Sequence, residues 1–196
     1  SSFLKKNKKR IFNINKNKNK NKEFNKKIDI IFKKIKPKLL FSYGCQKIDL
    51  NIINNNNNRY FNIHGGLLPK YRGVNTNFWP HINFESNHIG LTLHGLNNKI
   101  DSGDIFFQTT VKIDKKDTIN NLSCKAVKTF CDVVPRKIFI SLKKNFKVEG
   151  IKFKSKFKLW LKKDFKPKDI KIAYKNFDYF LKNKEFKKPS LKNIIN

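Results

Sequence analysis

Tyr60-Phe61-Asn62-Ile63-His64-Gly65-Gly66-Leu67-Leu68-Pro69-Lys70-Tyr71-Arg72-Gly73 changes character halfway along. Its first five residues are a short apolar and aromatic run bounded by turn formers, which suits a buried strand. Gly65 and Gly66 must end that strand, and Pro69 and Gly73 keep the second half irregular. The stretch is therefore a loop leaving the C-terminal end of a strand. Open α/β sheets place their ligands at such loops, because the chain leaves the sheet there and several loops converge on one crevice.

The flanking sequence supplies the rest of the sheet. Upstream, Ile28, Ile31, Phe32 and Ile35 recur at helical spacing until Pro37. Leu39-Leu40-Phe41-Ser42-Tyr43 then reads as a buried strand that Gly44 turns, and a second helical piece over 49–53 runs into the Asn tract at 54–58. Helix, strand, turn, helix, strand is the rhythm of a parallel sheet. Downstream, strands are expected over 89–94 and 105–113. Asp117-Thr118 can cap a helix whose apolar positions Leu122, Ala126, Phe130 and Val133 keep helical spacing as far as Pro135. The remainder predicts a strand over 153–161, where Lys alternates with apolar residues, and a helix over 168–181. The expected fold is α/β, a partial Rossmann-like core with a mostly parallel sheet and flanking helices, plus a short mixed C-terminal extension. The expected domains are a basic, disordered tail over 1–27, a catalytic core over 28–145 and a basic extension over 146–196.

At 196 residues the chain is long enough for one domain with a real core, and 38% hydrophobic residues with 19 Phe exclude a chain disordered throughout. The net charge of +31 is unevenly spread. Basic residues exceed acidic ones by 13 over 1–40, by 3 over 41–135 and by 15 over 136–196. The near-neutral centre does not work by bulk positive charge. Basic flanks attract nucleic acid or anionic membranes. However, only 4 of the 45 basic residues are Arg, and Lys, Asn, Ile and Phe make up 110 of the 196, as an AT-rich coding sequence would produce. Readers of phosphates and bases rely on the planar Arg fork, so nucleic acid is the less favoured partner. Cys45, Cys124 and Cys131 have neither disulfide nor zinc spacing, so no metal is expected and a reducing, cytoplasmic setting fits best. No apolar run is long enough to span a membrane.

Chemistry-bearing residues concentrate in the centre. Residues two apart on a strand face the same side, so Asn62 and His64 project together. Asp101 lies in the turn before a further strand, where Gly103 lets the backbone come close. If those strand ends are neighbours, an amide, an imidazole and a carboxylate converge. That trio suits acyl transfer between amines through a tetrahedral intermediate. Asn62 and a protonated His64 can donate to the oxyanion, while Asp101 raises the proton affinity of the imidazole and takes the proton of the attacking amine. His94 is read as lining the crevice and His81 and His88 as surface residues. Arg72 braces its loop or contacts an anionic ligand, with bracing favoured. Asp104 is read as a cap, and Phe78-Trp79 as packing under the site.

The run from Asn62 to Gly73, together with Asp101-Ser102-Gly103-Asp104-Ile105, resembles the folate-dependent formyltransferases, a family that includes glycinamide ribonucleotide, methionyl-tRNA and amino-sugar formyltransferases. The similarity extends over about 36–144, and nothing before Ile28 resembles the family's first α/β half, so much of that half is expected to be missing. The resemblance implies 10-formyltetrahydrofolate as donor in one-carbon metabolism, with Asn62, His64 and Asp101 as the catalytic trio. Tyr43, Gly44 and Gly103 are assigned to the donor, and His94 and Arg72 to the substrate or to the residues around the trio. The run 157–167 is similar to an extension found in members linked to modified sugars, so the expected acceptor is a small-molecule primary amine, an amino sugar or ribonucleotide-type amine. The alternatives are a methionyl-tRNA formyltransferase and a non-catalytic, basic nucleic-acid-binding relic of the same scaffold.

Overall fold

The computed structural model describes residues 20–37, 39–49, 51, 59–143, 149–154 and 156–183. The chain divides into two compact units, one formed by residues 1–38 and 45–58, the other by Leu39–Gly44 and Arg59–Asn196.

In the first unit, helix α1 (Lys20–Ile35) begins ahead of Ile28, so residues 20–27, expected as tail, are helical. Phe24, Ile28, Ile31 and Phe32 are its half-buried apolar positions, whereas Ile35 is exposed. The helix stops at Lys36, which takes φ +49. The cause lies in Pro37, whose ring disfavours helical geometry in the residue before it. Asn25 ties the helix to the segment after it, donating to the Lys47 carbonyl at 3.1 Å and accepting from the Asp49 amide at 2.7 Å. The expected disorder of 1–19 and most of the helical piece over 49–53 lie outside the described residues.

The second unit contains strands β1 (Leu39–Tyr43), β2 (Arg59–His64), β3 (Arg72–Gly73), β4 (Gly90–Gly95), β5 (Ile105–Thr110) and β6 (Leu159–Trp160). It also holds helices α2 (Trp79–Ile82), α3 (Ile119–Lys143) and α4 (Pro167–Asn183). The main sheet runs β1-β2-β4-β5, and β3 pairs with β6 separately. The α/β class stands, but the sheet is not mostly parallel. Among the described residues of this sheet, β1 and β2 pair in parallel, while β2–β4 and β4–β5 are antiparallel. A parallel return needs a crossover of a dozen residues or more, and the turn between Gly95 and Ile105 is too short for one.

Alternation along the strands gives the sheet two unlike faces. Phe61, Leu91, Leu93 and Phe107 form one core cluster with Leu122, Ala126, Phe130, Val134 and Ile138 of α3 and Phe177 and Phe180 of α4. The alternate residues, His64, Thr92, His94 and Gln108, are polar and yet buried. The buried stripe of α3 repeats every four residues from Leu122 to Ile138, using Val134 where the sequence suggested Val133. The helix accordingly runs through Pro135 instead of ending there. The expected strand over 153–161 shrinks to Leu159–Trp160, because β3 offers only two residues to pair with. Helix α4 forms as expected, with Asn176 donating to the carbonyls of His81 and Ile82, each at 3.0 Å, where α2 ends. That contact and the His81–Phe177 ring pair bury His81 completely, contrary to the surface position expected; His88 is half-buried.

Candidate active site

Register brings the polar residues together. Asn62 lies opposite His94 and His64 opposite Thr92, while Ser42 of β1 pairs with Asn62 from the other side. The Asn62 amide nitrogen is 3.1 Å from Nε2 of His94, and Ser42 Oγ lies 2.9 Å from Asn62 Oδ1. The hydroxyl thereby orients the amide, turning its NH2 toward His94.

Asp101 reaches this group from the turn after β4. Its Oδ2 is 3.4 Å from Nδ1 of His64 and its Oδ1 is 3.5 Å from Nε2 of His94. The three side chains are 10%, 6% and 3% exposed, in the order Asp101, His64, His94. Asp101 sits at φ +46, a conformation that must be held from outside. Arg72 holds it: Nε donates to the Asp101 carbonyl at 3.0 Å and Nη2 to the Ile100 carbonyl at 2.7 Å. The Gly73 amide donates to Oδ2 of Asp101 at 2.8 Å. Arg72 is thus a brace, and it acts on main-chain carbonyls.

The rest of the loop is fastened just as closely. Thr92 Oγ1 donates to the Gly66 carbonyl at 2.7 Å and accepts from the Leu68 amide at 3.2 Å and from Gln108 Nε2 at 3.0 Å. Gln108 also donates to the Leu68 carbonyl, and Thr76 Oγ1 to the Gly65 carbonyl. A side chain at Gly66 would meet Thr76 at 2.6 Å and the His64 ring at 3.0 Å, so the glycine is what lets the loop close over the imidazole. Tyr71 completes the arrangement. Its carbonyl lies 2.7 Å from Nε2 of His64, and its hydroxyl donates to Glu85 Oε2 at 2.6 Å while Lys70 pairs with the other oxygen.

These contacts fix where protons can reside. A carbonyl oxygen only accepts, so Nε2 of His64, facing the Tyr71 carbonyl, carries hydrogen, as does Nδ1 of His94, 2.8 Å from the Gly95 carbonyl. In the neutral rings Nε2 of His94 then accepts from the Asn62 amide, while Nδ1 of His64 turns a lone pair toward Asp101. That lone pair and the carboxylate repel unless a proton enters between them. A proton delivered to this pair therefore has a place to lodge and to leave from. Burial pushes the imidazole of His64 below its ordinary value of 6.5, against the opposing pull of Asp101. Burial also pushes the Asp101 carboxyl up, but the His94 hydrogen bond, the charge of His64 and the Gly73 amide outweigh it and hold the group below its ordinary value of 3.8.

Of the residues singled out by sequence, Asn62, His64, His94 and Asp101 converge and Arg72 supports them. At Gly103 a side chain would collide with the Gly95 carbonyl, so its bareness lets the turn lie against the end of β4. Asp104 closes that turn through its carbonyl, which accepts from the Gly95 amide at 2.9 Å. Tyr43, 59% exposed, and Gly44, at φ +58 with open space around it, end β1 next to the register of Asn62. Trp79 packs beneath the loop, stacked on Trp160. Ser42, Thr92, Gln108 and Glu85 escaped the sequence reading. Thr92 was within reach of it, standing two residues before His94 on one strand face; Glu85 was not, because only the folded loop brings it to Tyr71.

The family model for formyl transferase matches residues 3–138, starting well before Ile28, where the sequence reading found no likeness. The bifunctional polymyxin resistance protein ArnA of Wigglesworthia glossinidia brevipalpis is 43% identical over 90 residues, 45% of this chain and 14% of that protein. The chain thus spans a small part of this curated relative's length. A 4-N formyltransferase from Francisella tularensis superposes with a TM-score of 0.64 at 22% identity, over 100% of this chain and 77% of that one. The formyltransferase PseJ from Anoxybacillus kamchatkensis, solved with UDP-4,6-dideoxy-4-formamido-L-AltNAc and tetrahydrofolate, gives a TM-score of 0.50 at 26% identity, over 65% and 66%.

Proposed function

Because the chain belongs to the formyl transferase family, we propose that it moves a formyl group from 10-formyltetrahydrofolate to a primary amine on a small acceptor, an amino sugar in the first instance. The Asn62–His94–Asp101–His64 cluster, with both rings buried, carries this reading, since amine-to-amine transfer needs a donor for the carbonyl oxygen and a group that passes a proton. The folate donor, when bound, supplies an activated formyl carbonyl. Tyr43 and Gly44, open at the end of β1, are the residues that would hold it.

One hydrogen of the Asn62 amide is taken by His94, and the other is available to the formyl oxygen as negative charge gathers there. The His64 N–H is committed to the Tyr71 carbonyl, which gives this ring a different task from the oxyanion donor expected of it. Its Nδ1 faces Asp101, so a proton taken by the carboxylate from the attacking amine is shared with His64 and passed to the departing nitrogen. No covalent intermediate on the protein is required. The amino-sugar choice draws support from the sugar nucleotide bound by PseJ.

The purified protein should consume 10-formyltetrahydrofolate only when an acceptor amine is present. Asp101→Asn keeps the shape but cannot take a proton, and should lower kcat by roughly 10²–10⁴-fold, the usual worth of general acid–base catalysis. Unchanged turnover in that variant would defeat the assignment. Consumption without any amine would make water the acceptor and the reaction a hydrolysis.

A further inference from the structure

We propose that Trp160, in the C-terminal extension beyond the part of the chain matched to the family, is a positioning residue for Asp101, acting through the two-residue strand β3. This rests on reading Asp101 as the group that takes the proton. β3 stands apart from the main sheet, with β6 as its partner in register Arg72↔Leu159 and Gly73↔Trp160. A strand that short has little hold on its own position. Its anchorage comes from the extension. The Val74 amide donates to the Trp160 carbonyl at 3.0 Å, and Gly73, at φ +99, leaves no room for a side chain under that carbonyl.

The indole of Trp160 stacks on Trp79 with centroids 4.1 Å apart and planes 13° from parallel. Trp79 is buried and donates from Nε1 to the Val74 carbonyl at 2.8 Å, so both tryptophans grip the same short stretch. Phe165 backs the pair, 5.3 Å from Phe78 and 6.2 Å from Trp79. Lys158 closes the outer face, its Nζ 4.1 Å from the Trp160 ring centroid and 3.3 Å from Asp164, whose other oxygen accepts the Leu161 amide at 2.7 Å. From the gripped residues come the contacts that set Asp101: the Arg72 guanidinium on the carbonyls of Ile100 and Asp101, and the Gly73 amide on Oδ2. If β3 shifts, all three shift with it.

The test is Trp160→Ala in the full chain, read by NMR and by kinetics, with Trp160→Phe as the conservative variant. In the unaltered chain the Gly73 amide proton should follow the titration of the Asp101 carboxyl, and in folded Trp160→Ala it should not. kcat should fall about 10–100-fold, as for a displacement of about an ångström, with both KM values held within about twofold. Trp160→Phe keeps a stacked ring and the same backbone pairing, and should recover most of both signals. A Gly73 amide that still follows Asp101 in Trp160→Ala overturns the proposal. Should Trp160→Ala fail to fold, amide exchange in the unaltered chain decides: Val74 should exchange at least about 100-fold slower than an unstructured peptide, and exchange at the peptide rate overturns the proposal. The two NMR readings hold whether or not the chain transfers formyl groups, so their failure is distinguishable from failure of the functional reading.

Discussion

Glu85 illustrates how a residue remote from the reacting group governs it. Its carboxylate accepts the Tyr71 hydroxyl and pairs with Lys70, and the carbonyl of that same tyrosine takes the His64 Nε2 hydrogen. Burial raises the Glu85 carboxyl, but hydrogen bonds from Lys70 and Tyr71 bring it net below its ordinary value of 4.5. Glu85→Ala would leave the buried Tyr71 hydroxyl with only the Asn83 amide, 3.3 Å away, as a hydrogen-bonding neighbour. A buried hydroxyl that loses its strong acceptor costs about 1–3 kcal/mol, so the urea midpoint should fall by an equivalent amount. An unchanged midpoint would mean the Tyr71–Glu85 bond contributes nothing. At this scale the sequence exposed the chemically active side chains through their type and spacing. It hid those that act by holding a carbonyl or hydroxyl in place, because Ser, Thr, Gln and Glu are common everywhere and acquire such roles only from their neighbours.

Among the elements, α3 departs furthest from local rules. Pro135 lacks an N–H and crowds the preceding turn, which ordinarily breaks a helix, yet α3 continues to Lys143. Packing explains this: Val134 and Ile138 lie beyond or beside the break on the buried stripe, and their burial against the sheet outweighs the lost hydrogen bond. Pro135 itself is exposed. Pro135→Ala should therefore restore the helix bond without disturbing the core and stabilise the protein by about 1–2 kcal/mol, somewhat less than the full proline penalty. A thermal melt checks this, and a midpoint that stays put or falls refutes it. The β4–β5 pair shows the opposite case. Its strands were legible from hydrophobic pattern, but pattern alone carries no strand direction, and only the short turn through Asp101 makes them antiparallel.

The whole molecule sets its own acid limit through His81. The ring is fully buried between α2 and α4, packed on Phe177, with Nδ1 2.9 Å from Ser86 Oγ and no partner for Nε2 among the described residues. Burial pulls its pKa from 6.5 down to about 4. The unfolded chain therefore binds a proton that the folded one refuses between those values, and stability must fall as pH drops below 6.5. By linkage this group alone removes about 2 kcal/mol between pH 7 and pH 5. His64 shifts in the same direction and steepens the loss, whereas Asp101, held below its ordinary value, stabilises the fold until the pH falls through that lower value. Urea unfolding at pH 7 and pH 5 should show the decline, and His81→Leu should remove about one proton's worth of its slope whatever the variant does to absolute stability. A slope identical in the variant would place the effect elsewhere.

Residue type and period determined a good deal here: that β1 and β2 exist, that α4 does, and that Asn62 and His64 share a strand face. Those features arise from backbone geometry within a few residues, which any sequence displays. Convergence does not. Asp101 meets His64 and His94 because β2, β4 and the turn after β4 are neighbours in space, and His81 is buried because a helix almost a hundred residues later closes over it. Such pairings depend on strand direction, register and the packing of distant segments, and these are properties of the assembled sheet and helices, absent from any local stretch of chain.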